Sequence, residues 1–92
     1  MIQSFRCKET QSLFEGNRVP KFVNFAPIAE RKLQMLDAAT ALLDLRSPPG
    51  NHLEALSGNR FGQHSIRVNQ QWRICFIWTE HGPANVEIVD YH

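Results

Sequence analysis

Two arginines, Arg67 and Arg73, are the residues whose types and spacing point most directly to chemistry. Each lies in a segment of alternating apolar and polar residues, 63–68 and 72–78, which is the pattern of a half-buried β-strand. A three-residue loop, 69–71, would join the two strands as a hairpin and set Arg67 opposite Arg73. Like charges that face each other destabilise a sheet. The pair therefore predicts an anion bound between two guanidinium groups.

This prediction depends on the register of the hairpin. The same pairing sets Val68 opposite Trp72 and Ser65 opposite Cys75, and it gives the hairpin one core face and one polar face. A slip of one residue in the loop would move one arginine to the other face of the sheet. The apolar residues of the second strand, which share the predicted core face, are Trp72, Ile74, Phe76 and Trp78.

The last residues of the chain, Asp90, Tyr91 and His92, add groups that can transfer protons. His92 is the side chain most easily tuned to titrate near neutral pH, so it is the candidate acid or base, and Asp90 either orients it or shares the role. Tyr91 could stack on a nucleobase or donate from its hydroxyl. The residues alone leave a simpler interpretation open, in which Arg73 is a solvated surface arginine and the ending is a frayed terminus.

Two helices are predicted in the first half of the chain. The first covers Lys8 to Glu15, and Gly16 is placed to stop it. The second begins near Pro27 and ends before the segment 47–50, Ser-Pro-Pro-Gly. Its apolar stripe, spaced by three and four residues, predicts a buried face made of Ala29, Leu33, Leu36, Thr40 and Leu43.

The remaining elements are predicted to be strands. Met1 to Phe5 is a short strand, and after the helices come strands near 53–56 and 85–89 on either side of the hairpin, with turns at 58–62 and 80–83. The order predicts an α+β fold, in which two N-terminal helices pack on one face of a small, mainly antiparallel, twisted sheet.

Composition limits the possible functions. A chain of 92 residues, 42% hydrophobic and 21% charged, predicts one globular domain covering 1–92. It has no apolar run long enough for a membrane span and no signal peptide, so a cytoplasmic location is predicted. The net charge of +1 argues against broad non-specific binding of duplex nucleic acid. The histidines and cysteines lack the spacing of metal ligands, so no metal and no cofactor is expected, and both cysteines are expected to be free thiols.

Several motifs together resemble the HigB branch of the RelE-type bacterial toxins. They are the opening Met-Ile-x-Ser-Phe, the stretch 32–39, the residues 56–58 with Gly62, the runs 65–69 and 71–76, and the terminal Val-Asp-Tyr-His. The resemblance covers nearly the whole chain. It implies a RelE-like microbial ribonuclease-type fold and a metal-free, ribosome-dependent endoribonuclease that cuts mRNA in the decoding site. The implied partners are a HigA-like helix-turn-helix antitoxin, the ribosome and mRNA, and operator DNA contacted through the antitoxin is a further partner that the resemblance allows.

The resemblance also implies which residues act. The arginine of the Trp-Arg-Ile motif and the closing Asp-Tyr-His correspond to Arg73, Asp90, Tyr91 and His92 in this sequence. Some relatives carry two further basic residues, one in the loop before the tryptophan and one ahead of the glycine turn, and this chain has neither. Arg67 and Arg60 are the candidates to replace them as phosphate-binding groups.

Two other functions compete with this interpretation. The ParE relatives share the architecture but inhibit DNA gyrase without cutting nucleic acid, and the complete set of Arg73 and Asp-Tyr-His argues against that function. The other is a non-catalytic module that only binds RNA or the antitoxin.

Overall fold

The computed structural model describes residues 1–90, so Tyr91 and His92 lie outside the described part of the chain. Two α-helices, α1 (Lys8–Phe14) and α2 (Ala26–Ala38), precede a four-stranded antiparallel sheet. Its strands are β1 (Glu54–Ala55), β2 (His64–Arg67), β3 (Trp72–Thr79) and β4 (Gly82–Asp90), in that spatial order. Short 3₁₀ helices cover Pro20–Phe25, Leu42–Arg46, Pro49–Asn51 and Gly58–Arg60. The predicted α+β fold class is confirmed.

The hydrophobic core lies between the helices and one face of the sheet. Leu33 and Leu36 of α2 are fully buried, as are Ile66, Ile74 and Phe76 of the hairpin. The ring of Trp72 lies 5.8 Å from that of Phe22 and 5.0 Å from that of Phe25, centroid to centroid. The predicted core face of the hairpin is therefore confirmed, and the burial of these large apolar groups orients the sheet toward α2.

The hairpin has the predicted register. Arg67 pairs with Arg73 and Ser65 pairs with Cys75. The backbone N–H of Val68 donates to the carbonyl of Trp72 over 2.9 Å. In the loop, the side-chain oxygen of Asn69 accepts from the N–H groups of Gln71 and Trp72, both at 2.8 Å. This side-chain-to-backbone capping fixes the loop length, and the loop length fixes which residues face each other.

The second helix is shorter than predicted. It ends at Ala38, and the predicted core residue Leu43 is 63% exposed, whereas Leu45 of the following 3₁₀ helix is fully buried. The carboxylate of Asp44 accepts from the backbone N–H groups of Thr40 and Ala41, each at 3.1 Å. These bonds hold the pKa of Asp44 below its usual value. They also give the backbone a partner outside the helix, which explains the early end.

The predicted strand Met1 to Phe5 is also wrong in extent. The segment forms one parallel bridge, Phe5 to Val86, beside β4. The N–H of Ile2 donates instead to Asp37 on α2 over 2.8 Å, which ties the chain start to the helix layer. Gly82, at φ +126°, lies so close to the chain start that a Cβ atom there would fall 2.3 Å from the carbonyl oxygen of Met1. Only glycine fits that approach.

Candidate functional site

The candidate site lies on the face of the sheet that points away from the helices, here called the outer face. Side chains of directly paired residues share a face of a sheet. One row across the outer face therefore contains Ser65, Cys75 and Glu87, and the next contains Arg67, Arg73 and Val89. Glu54 of β1 pairs with Ser65 and extends the first row. The sequence predicted a polar outer face, but Ser65 and Cys75 are fully buried, because charged side chains cover them.

Arg73 is held by several groups at once. Its Nε donates to the hydroxyl of Ser65 over 2.7 Å, and its Nη2 donates to the backbone carbonyl of His52 over 2.6 Å. The carboxylate of Glu54 lies 3.6 Å from the same Nη2, and only 11% of the Arg73 side chain is exposed. Arg73 therefore connects β3 to β1 and to the segment before it, in addition to any contact with an anion. The surface arginine that the simpler interpretation supposed is not what the structure contains.

Arg67 has far fewer partners than Arg73. Its Nε donates to the backbone carbonyl of Asn69 over 3.1 Å, and among residues 1–90 its two terminal amino groups make no hydrogen bond or ion pair. The side chain is half-buried and borders a cleft of about 390 Å³. The planar fork of N–H donors on a guanidinium group suits a phosphate. Arg67 uses fewer of these donors within the protein than Arg73 does, so it has more of them available to an anion.

Arg60, the other predicted phosphate-binding residue, belongs to an ion pair. Its Nη1 donates to the carboxylate of Glu87 over 2.9 Å and to the side-chain oxygen of Gln63 over 3.1 Å. The guanidinium of Arg6 lies 3.9 Å from the same Glu87 oxygen. Glu87 therefore offsets positive charge at this end of the outer face. A phosphate-binding role for Arg60 stays a prediction.

Cys75 lies among the charges of the outer face. Burial is the largest influence on its thiol and raises the pKa. The charges of Arg60 and Arg73 lower this pKa, and those of Glu87 and Glu54 raise it. A neutral, buried thiol is a poor nucleophile. Cys75 is therefore a packing residue of the outer face, between Ser65 and Glu87 in their row.

Asp90 lies apart from Arg73 in the sheet. It pairs with Trp72, whereas Arg73 pairs with Val89, so the register sets the side chains of Asp90 and Arg73 on opposite faces. The carboxylate of Asp90 accepts from the side-chain amide of Gln71 over 3.0 Å, which links the end of β4 to the hairpin loop. The catalytic roles predicted for Tyr91 and His92 fall on residues outside the described chain.

Three contributors to the site were missed in the sequence. Alternation could have found Ser65, because it shares the face of Arg67, and a strand pairing near 54 could have found Glu54. No local pattern signals His52, since its backbone carbonyl reaches Arg73 from a residue in the left-handed conformation, φ 46°. Long-range packing alone brings that group to the outer face.

Metal-binding clusters and membrane-spanning helices are both absent from residues 1–90. That part of the chain contains no group of three or more His, Cys, Asp or Glu side chains arranged to hold a metal ion. None of its helices combines the length and the apolar character needed to cross a bilayer.

Comparison with known protein families identifies the family of this chain. The model of a HigB-like toxin, described as a RelE-like toxin of a type II toxin–antitoxin system, matches residues 3–92. The chain belongs to the HigB-like toxin family. The fold described above is accordingly RelE-like, and a type II toxin of the HigB kind has an antitoxin as its partner.

Two relatives are similar to this HigB-like chain over most of its length. Toxin HigB-1 of Vibrio cholerae serotype O1 is 42% identical over 96 aligned residues, which span 100% of this chain and 98% of the relative. An uncharacterized protein of Haemophilus influenzae is 41% identical over 69 residues, 75% of this chain and 67% of the relative.

Proposed function

We propose that this HigB-like toxin is a ribosome-dependent endoribonuclease that cuts mRNA without a metal ion and so blocks translation and growth. The observation that carries the proposal is the pairing of Arg67 with Arg73 on the outer face. Two facing guanidinium groups concentrate positive charge on one face, and such charge can stabilise the negative charge that a phosphodiester develops in its transition state. The family membership and the closing Asp-Tyr-His support the same function.

The chemistry requires three events at one phosphodiester. A base removes the proton of a ribose 2'-hydroxyl, the 2'-oxygen forms a bond to phosphorus in line, and the bond from phosphorus to the 5'-oxygen breaks as that oxygen takes a proton. The products are a 2',3'-cyclic phosphate and a 5'-hydroxyl. Side chains can perform the proton transfers and hold the charge of the phosphorane.

We assign these tasks to the predicted residues. Arg67 and Arg73 stabilise the non-bridging oxygens, with Arg67 giving the freer donors and Arg73 the fixed ones. His92 acts as acid or base, and Tyr91 stacks on a base or donates from its hydroxyl. Asp90, whose carboxylate accepts from the side-chain amide of Gln71, either orients His92 or shares its role in proton transfer.

Cell-free translation tests the proposal. Purified toxin is added to a translating extract and to the same transcript without ribosomes, and the 5' ends of the fragments are mapped. New ends that depend on translation are the expected result. Cleavage of the naked transcript at equal rate would contradict ribosome dependence, and intact transcripts in both samples would contradict the nuclease function.

The competing functions give different results in parallel assays. Loss of DNA supercoiling by gyrase, with transcripts intact, would indicate a ParE-like toxin. Binding to ribosomes or antitoxin without cleavage or loss of supercoiling would indicate a non-catalytic module. Removal of His92 is expected to lower cleavage more than ribosome association, whereas equal losses would make the imidazole a binding group.

The proposed setting follows from the same function. The ribosome and mRNA are the proposed targets in the cytoplasm, and a HigA-like helix-turn-helix protein is the proposed antitoxin. Contact of the toxin–antitoxin complex with operator DNA, through the antitoxin, belongs to the same proposal.

A further inference from the structure

We propose that the cleft next to Arg67 is a second nucleotide subsite, in which Lys32 binds a phosphate of the RNA strand that the proposed nuclease cuts. This inference rests on the proposed function for the identity of the strand. The cleft, called here the Lys32 cleft, is lined by Lys32 of α2, Gly50 and His52, and Arg67, Asn69 and Gln70 of the hairpin. It opens where β2 continues past the two-residue strand β1.

The charge of the Lys32 cleft has one sign. Its ionisable lining groups are a lysine, a histidine and an arginine from three separate segments of the chain. Within the described residues, no acidic side chain lines it. Three cationic or protonatable groups that converge without a carboxylate repel one another, and an anion relieves that repulsion.

The ammonium group of Lys32 is fixed in place by a buried residue. Its Nζ donates to the side-chain oxygen of Asn51, which is fully buried. The amide nitrogen of Asn51 donates in turn to the carbonyls of Leu45, at 3.0 Å, and Ser47, at 3.3 Å. Asn51 cannot rotate without losing these bonds, so it presents a permanent acceptor to Lys32 from below the cleft.

Donors of Lys32 remain available after this contact. An ammonium group carries three N–H donors, and within residues 1–90 the Asn51 oxygen is the hydrogen-bond partner of Lys32. Burial, and then the neighbouring charge of Arg31, lower the pKa of Lys32. A bound anion would act in the opposite direction. The remaining donors of Lys32 therefore suit a phosphate bound in the cleft that Arg67 also lines.

The Lys32 cleft is connected to the paired arginines. The backbone carbonyl of His52 accepts from Arg73, while the His52 side chain lines the cleft. Arg67 borders the cleft and faces Arg73 across the hairpin. An RNA strand held at the arginine pair would therefore continue into the cleft that Lys32 and Arg67 both line.

The cleft is large enough to hold a nucleotide. A volume of about 390 Å³ falls in the range of about 300–1,000 Å³ that holds organic ligands. The side-chain amides of Asn69 and Gln70 add donors and acceptors suited to a ribose.

The test compares two single-charge variants of α2. Lys32→Gln removes the charge but keeps an N–H donor for the buried Asn51 oxygen. Arg31→Gln removes the charge of the adjacent, exposed residue that does not line the cleft. Binding of a short single-stranded 2'-O-methyl RNA, which cannot be cleaved, is followed by amide chemical shifts of the intact toxin over a series of salt concentrations.

We expect Lys32→Gln to weaken binding about fivefold to tenfold and to flatten the slope of log affinity against log salt by about 0.7, the value for one phosphate contact on a single strand. The wild-type shifts should include residues 50–52 and 67–70, and Arg31→Gln should keep both these shifts and the slope. Equal effects of the two variants, or RNA-induced shifts confined to other residues, would overturn the proposal.

Two further comparisons complete the test. One distinguishes RNA from inorganic phosphate as the bound anion, and the other distinguishes failure of the subsite from failure of the nuclease function. If inorganic phosphate saturates the cleft while the RNA leaves it unchanged, or if Lys32→Gln weakens only antitoxin binding, the subsite is not an RNA site. Lys32-dependent RNA binding without any mRNA cleavage would remove the nuclease function and keep the cleft. The opposite result is translation-dependent cleavage, with RNA binding, that is the same in Lys32→Gln and Arg31→Gln. It would keep the nuclease function and remove the subsite in the cleft.

Discussion

The two ends of the outer face use the same residue type for different purposes. At one end, Glu87 lies 2.9 Å from Arg60 and 3.9 Å from Arg6, and its side chain is only 15% exposed. At the other end, Arg67 and Lys32 border a cleft whose lining, within the described residues, includes no carboxylate. The comparison teaches that an arginine keeps more of its positive charge for an anion where the fold leaves it without an acidic neighbour. Arg73 lies between the two ends. The carboxylate of Glu54 is 3.6 Å from its guanidinium group, which also donates to the backbone carbonyl of His52.

The largest effect is expected from Arg73→Ala. Without its guanidinium, the buried Ser65 hydroxyl and the His52 carbonyl lose their donor, so we expect the free energy of unfolding to fall by about 2–4 kcal/mol. Cleavage should fall to background as well. Urea unfolding and the cell-free assay measure the two effects, and Arg73→Lys, which keeps the charge without the planar fork, should lie between. An Arg73→Ala variant of unchanged stability would contradict the connecting role described above.

Arg67→Ala should separate activity from stability. Because its side chain makes one hydrogen bond within residues 1–90, we expect unfolding to change by less than about 1 kcal/mol. Cleavage should fall about 100-fold if Arg67 holds phosphorane charge. The same two assays measure the variant, and Arg67→Lys is the matched control for charge. Full activity of Arg67→Ala would show that the arginine pair has a purely structural origin.

Glu87→Gln should make the two ends more alike. The amide oxygen still accepts from Arg60, but the loss of the carboxylate raises the local positive charge, so affinity for single-stranded RNA should rise by about threefold at low salt. Glu9→Gln is the control, since Glu9 is an exposed carboxylate 3.6 Å from Lys21 on the helix layer. A similar rise in both variants would mean that only net charge matters.

The smallest effect concerns the thiol between the two ends. Burial raises the pKa of Cys75, so its thiolate fraction at neutral pH falls, and alkylation of the folded toxin should be at least about tenfold slower at Cys75 than at the half-buried Cys7. The sign follows from the shift, because a raised pKa means less thiolate at any pH below it. Peptide mass spectrometry after brief iodoacetamide treatment measures both sites. Equal labelling would mean that the outer face opens readily.

The sequence predicted the fold class and the hairpin well because both depend on local rules. Alternation in 63–68 and 72–78, with a loop capped by Asn69, leaves one register that buries the apolar side chains. The length of α2 was beyond such rules. The stripe that includes Thr40 and Leu43 continues past Ala38, and only the bonds from Thr40 and Ala41 to Asp44 explain why the helix does not.

For the candidate site, the face of each arginine was predictable and its partners were not. Register alone sets Arg67 opposite Arg73, and it also sets Asp90 on the other face. The pairing of Arg60 with Glu87 joins residues 27 positions apart in the chain, and that of Arg73 with the His52 carbonyl joins residues 21 apart. No spacing rule reaches over such distances.

The sequence by itself determined which side chains share a face, because in a strand that choice depends only on the parity of the position and on the loop between the strands. Only the tertiary structure decided how much uncompensated positive charge each of those side chains presents to a ligand. That quantity depends on carboxylates, carbonyls and buried amides brought in from distant segments, since electrostatic interaction follows distance in space and not separation along the chain.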